Sequence, residues 1–103
     1  MNVVGNLAEI PVGEGRVFAV GDWQVAVFRL RDGSVRAVEA SCPHRGGPLA
    51  DGLIDQKVVV CPLHGYTYDL ITGTETANDG AAVCAYDAQV DADGTVRVSA
   101  RGR

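Results

Sequence analysis

Two cysteines and two histidines concentrate the reactive chemistry of the chain. Cys42, His44, Cys61 and His64 fall within 23 positions and include both histidines and two of the three cysteines. Their spacing is Cys-x-His, sixteen residues, then Cys-x-x-His. Thiolate sulfur and imidazole nitrogen are soft and borderline donors, the set that a transition-metal centre takes. Each half lies on a loop-forming stretch, Cys42-Pro43-His44-Arg45-Gly46-Gly47-Pro48-Leu49 and Cys61-Pro62-Leu63-His64-Gly65-Tyr66. Proline after each cysteine fixes the local φ, and the glycine that follows each histidine permits a close backbone approach. Unrelated burial of the cysteines as small apolar side chains would need a coincidence at four positions. A structural zinc module serving as an interaction domain is the rival metal reading. Zinc fingers keep each like pair together, whereas here each loop supplies one Cys and one His. A zinc protein would be colourless and would unfold with chelators.

The elements that must hold these loops are short strands. Arg16–Val20 and Trp23–Leu30 are rich in β-branched and aromatic residues, with Gly21-Asp22 between them as a hairpin signal. Asp32-Gly33 marks a turn into Val35–Glu39, and Lys57–Cys61 is strongly β-forming. Ala82–Asp91 and Thr95–Ala100 flank a third turn signal at Asp93-Gly94. Helical periodicity is absent over any useful length, and strands at this spacing predict an all-β sandwich or barrel. Ser41 to Gly52 is poor in strand signal and rich in Pro and Gly, so a shaped, functional loop is expected there.

The mixed Cys/His arrangement resembles the Rieske family, whose [2Fe–2S] cluster has histidines in place of two cysteines on one iron. Gly46, Leu49 and Gly52 are similar to the family's first-loop residues. Tyr68-Asp69-Leu70 with Thr72-Gly73 resembles the run that follows its second loop. The resemblance implies an antiparallel β-sandwich or barrel with a small cluster-binding subdomain. It makes Cys42 and Cys61 ligands of one iron, and His44 and His64 ligands of the other. Replacing two thiolates by neutral imidazoles removes negative charge and raises the potential into a range of roughly −150 to +300 mV. High-potential relatives carry two further cysteines where this chain has Gly47 and Leu63, and a serine where it has Tyr66. The low end, roughly −150 mV to zero, is therefore expected. Tyr68 stands where a hydroxyl donated to a cysteine sulfur would raise it again. Oxidised iron favours imidazolate, so the potential is expected to fall at alkaline pH.

The rest of the composition bounds the function. The chain has 103 residues, 47% hydrophobic and 21% charged, enough for one modest core. One domain over residues 1–103 is expected, with the cluster loops within about 40–73. The net charge of −4 argues against nucleic acid and suits docking on a basic patch of a protein partner. No apolar run approaches the ~20 residues of a membrane helix, and the first ten residues lack a signal-peptide pattern, so a cytoplasmic location is expected. The sequence shows neither a flavin nor a nicotinamide glycine fingerprint, and no further ligand set for a mononuclear iron. An electron carrier, not itself an enzyme, is what these residues imply. Two partner systems fit the resemblance: a flavin-dependent reductase feeding a terminal oxygenase, or the large subunit of an assimilatory NAD(P)H nitrite reductase. A monomer is expected. Arg45 could lie on a docking rim, Trp23 is expected in the core, and Cys84 in an apolar strand reads as a buried hydrophobe.

Overall fold

A computed structural model describes residues 2–20, 23–40, 52–55, 58–60, 67–70 and 85–100. Nine strands and one 3-10 turn make up the regular structure, with no α-helix among the described residues. They are β1 (Asn2–Asn6), the turn Leu7–Glu9, β2 (Gly15–Val20), β3 (Trp23–Arg29), β4 (Val35–Glu39), β5 (Leu53–Asp55), β6 (Val58–Val60), β7 (Thr67–Asp69), β8 (Ala85–Val90) and β9 (Thr95–Ala100). Six of them form an antiparallel sheet in the order β1-β9-β8-β4-β3-β2, and β5-β6-β7 form a second, smaller one. The all-β expectation holds.

The large sheet curls until its end strands meet. A bulge between Val3 and Gly5 bends β1. At Gly5 an added Cβ would lie only 2.6 Å from Phe18 Cε1 of β2. Glycine is thus needed where the Phe18 ring seals the nearly closed barrel.

Turn chemistry sets the hairpins. Asp32 Oδ1 accepts bonds from the Ser34 amide (2.9 Å) and hydroxyl (2.6 Å), and Gly33 takes a φ of +91°. Asp93 Oδ1 accepts from the Thr95 amide at 3.0 Å, with Gly94 at φ +89°. Side-chain capture of the next turn amide is the usual reason for Asp at such sites. Both Asp-Gly signals therefore form the hairpins the sequence predicts, while Gly21-Asp22 lies outside the described residues. The side chain of Trp23 does too.

Three strands escape the sequence reading: β1, β5 and β7. The first is interrupted by Gly5 at its bulge, and the other two are three residues long, too short to show a period of two. Of the expected strand Ala82–Asp91, residues 82–84 lie outside the described residues and Ala85–Val90 is strand. Asp91 belongs instead to the turn, accepting from the Gly94 amide at 2.9 Å.

Strand alternation divides the interior into two cores that share one wall. Inside the barrel lie Val25 and Val27 of β3, Val35 and Ala37 of β4, Tyr86 of β8, and Val96 and Val98 of β9. On the other side of the same strands lie Ala26, Phe28, Val38 and Ala85, packed with Leu30 against Val59, Tyr68 and Leu70. A strand buried on both faces has no polar alternation, which is why β3 reads Trp-Gln-Val-Ala-Val-Phe-Arg. Arg29 closes the barrel's far end: its Nη1 donates to the carbonyls of Ile10 (3.1 Å) and Leu7 (3.5 Å).

Candidate metal centre

The small sheet is where the two Cys/His segments begin and end. Its register pairs Leu53 with Val60 and Val60 with Thr67, so these three residues form one rank at one end of the sheet. Adjacent strands lie about 4.8 Å apart, so the outer two members of the rank are separated by about 10 Å. Segment 41–51 leads through Gly52 into Leu53. Segment 61–66 leaves at Val60 and returns at Thr67. Cys61 is the residue after Val60, and His64 stands three before Thr67. The three-stranded sheet therefore sets side by side the strand ends at which one segment arrives and the other leaves and returns.

Cys42, His44, Cys61 and His64 themselves lie outside the described residues, as do Arg45, Tyr66 and Cys84. Among the described residues no group of three or more His, Cys, Asp or Glu side chains could hold a metal ion.

The rank rests on a buried row one residue further into the sheet. Ile54 and Tyr68 are both register partners of Val59, and alternation turns Val59 and Tyr68 to the opposite face from Val60 and Thr67. Val59 and Tyr68 are fully buried in the core against β3 and β4, with Ile54 packed at its edge. Tyr68 is the largest fully buried side chain among the described residues. A three-stranded sheet of three-residue strands has little stability of its own. Its position is therefore set by this row against Ala26, Phe28, Leu30, Val38 and Ala85.

The first segment departs from the C-terminal end of β4, where Val38 and Ala40 are buried. The far end of the barrel carries a different character. There Arg97 Nε donates to Asp91 Oδ2 at 2.7 Å, and Gln89 Nε2 to the other carboxylate oxygen at 3.4 Å. Asp93 has its carboxyl held below the usual value, first by the Thr95 backbone amide and then by the Thr95 hydroxyl. No helix of the described residues is long and apolar enough to cross a membrane.

A nearly closed antiparallel barrel carrying a small three-stranded sheet, with two Cys/His segments joined to one rank of that sheet, defines a class of metal-cluster proteins. The model of the Rieske [2Fe-2S] domain matches residues 1–97, and the chain belongs to that family. A Rieske-type [2Fe–2S] cluster is accordingly its cofactor. The chain is similar over its length to the ferredoxin of carbazole 1,9a-dioxygenase from Nocardioides aromaticivorans IC177. That structure has a TM-score of 0.84 and 30% identity, covering 96% of each chain. A structure described as an NADH-dependent nitrite reductase small subunit from Mycobacterium tuberculosis has a TM-score of 0.87 and 27% identity, covering 94% of this chain and 91% of that one. Among curated relatives, the oxygenase component of dicamba O-demethylase from Stenotrophomonas maltophilia is 38% identical over 63 residues, 61% of this chain. The matched part spans 17% of that relative's length.

Proposed function

We propose that the chain is a one-electron carrier that takes electrons from a flavin-dependent reductase and passes them to a terminal oxygenase. The observation that carries the reading is the rank Leu53–Val60–Thr67, which joins two thiol/imidazole segments to one edge of a rigidly packed sheet. The donor set fits the family's cluster: Cys42 and Cys61 would hold one iron as thiolates, and His44 and His64 the other as imidazoles. Bound there, the cluster supplies a one-electron couple raised above that of all-cysteine clusters by the neutral ligands. The chain's own residues hold it in place through the buried Ile54–Val59–Tyr68 row. All four ligands come from the protein, which leaves no coordination position for a substrate, so the chain is read as an electron-transfer component and not an enzyme. One domain over residues 1–103, a monomeric state and a cytoplasmic location complete the reading. The dioxygenase ferredoxin, similar over 96% of its length, supports an oxygenase as partner.

The second reading is the small subunit of an assimilatory nitrite reductase, favoured by the TM-score of 0.87 to the structure so described. Anaerobic purification followed by visible and EPR spectra, before and after dithionite, tests the cluster. A red-brown protein that becomes EPR-active on reduction supports it. A colourless protein containing one zinc would overturn it in favour of a structural module. Stable co-purification with a sirohaem protein would shift the partner to the nitrite reductase large subunit.

A further inference from the structure

Strand β4 reads Val35-Arg36-Ala37-Val38-Glu39, and its arginine sits on the face that is otherwise apolar. Val35 and Ala37 point into the barrel, whereas Val38 points toward the small sheet. Arg36 shares the orientation of Val38 and stands directly opposite Phe28, a fully buried member of the core beneath that sheet. Placing a cation there is unfavourable unless it is paired. Yet Nε of Arg36 is buried without a hydrogen-bond partner, and Nη1 makes only a long 3.4 Å bond to the Val35 carbonyl. The ion pairs among the described residues join Arg16 to Glu14 and Arg97 to Asp91, not Arg36 to a carboxylate. Asp87 holds the next position of the same row on β8, exposed to solvent, and it makes no ion pair with Arg36.

Arg29, the other arginine with a buried Nε, differs in both respects. It extends on the barrel side of the wall, and two backbone carbonyls take its Nη1. Arg36 is thus a half-buried positive charge with no ion-pair partner among the described residues, on the wall that carries the cluster sheet, four residues before the buried Ala40 from which the first loop departs.

We propose that Arg36 raises the reduction potential of the cluster through its charge. Reduction adds one negative charge, and a cation in partly dehydrated surroundings stabilises the reduced form more than the oxidised one. The inference rests on the cluster reading above. It assigns Arg36 no contact with the ligands and no role in folding the loops.

The test is an optical redox titration of the loaded wild type, Arg36→Met, Arg36→Lys and Arg31→Met. Arg31 is the matching control, an exposed arginine in the β3–β4 turn. The expected result is a lowered midpoint potential for Arg36→Met, with Arg36→Lys close to wild type and Arg31→Met unshifted. The Arg36→Met shift should also survive high salt, because a partly buried charge is weakly screened. Arg36→Gln gives the same comparison if the Met variant fails to load. Equal potentials for Arg36→Met and Arg31→Met would overturn the proposal. So would an Arg36→Lys potential as low as that of Arg36→Met, since packing and not charge would then be responsible. A colourless wild type would sink the cluster reading itself, whereas a coloured protein with an unmoved potential sinks only the role of Arg36.

Discussion

Val59 and Val96 offer the same chemical change in two different cores. Both side chains are fully buried, Val59 beneath the small sheet and Val96 inside the barrel. Truncation to alanine removes two methyl-sized groups, about 1.6 kcal/mol of transfer free energy at ~0.8 kcal/mol each. The residual cavity adds about 1 kcal/mol, for a total of about 2–3 kcal/mol in either variant. Global stability should therefore fall alike, by roughly 10–20 °C in Tm for a domain of this size. The local consequences differ. Val59 is the centre of the Ile54–Val59–Tyr68 row that fastens the small sheet, so its loss lowers the free energy of detaching that sheet while the barrel stays folded. Val96 is untouched by such detachment. If the cluster is lost through local opening, Val59→Ala should bleach roughly 30- to 100-fold faster than wild type, at about 1.4 kcal/mol per tenfold. Val96→Ala should bleach at nearly the wild-type rate. The assay is decay of visible absorbance in chelator at a denaturant concentration well below the unfolding midpoint. Equal acceleration in both variants would refute the reasoning, because cluster loss would then require the whole fold to open.

Other perturbations separate further parts of the argument. Tyr68→Phe removes a fully buried hydroxyl and should cost about 0.5–1.5 kcal/mol in denaturant unfolding. It should also lower the midpoint potential; an unshifted potential would leave Tyr68 as a packing aromatic only. Gly5→Ala brings a methyl within 2.6 Å of Phe18 and should destabilise by about 1–3 kcal/mol. Combining it with Phe18→Leu should cost less than the sum of the two single changes, and strict additivity would count against the seam contact. Asp93 has its folded-state pKa held below the ordinary carboxylate value by the Thr95 amide, so its contribution is present above the unfolded pKa and is lost as pH falls through the folded one. Wild type should accordingly melt above Asp93→Asn at neutral pH, with the difference vanishing as pH falls through the folded-state pKa. A difference that grows on acidification would reverse the sign of the argument.

Much of the functional reading was open to inspection in the linear chain. Ligand chemistry depends on residue type and on short spacing along a loop, so Cys42-x-His44 and Cys61-x-x-His64 can be read one loop at a time. Hairpins at Asp32-Gly33 and Asp93-Gly94 are equally local, because the aspartate captures an amide two residues on. The long apolar strands announce themselves through β-branched residues. What could not be read is whatever depends on partners distant along the chain. β5 and β7 are strands only because β6 pairs with both and their shared row finds a wall to bury against. Gly5 looks like an interruption until Phe18 arrives over it from the far edge of the sheet. Arg36 looks like an ordinary solvent-facing residue of a strand, and only the register opposite Phe28 and the observed burial show it as a half-buried charge. By itself the sequence determined the all-β class and the two Asp-Gly turns, because these follow from local stereochemistry and side-chain chemistry, and it supplied the donor set proposed above. The tertiary structure alone decided which faces are dry and which loop ends share an edge, because burial and register are properties of contacts between segments.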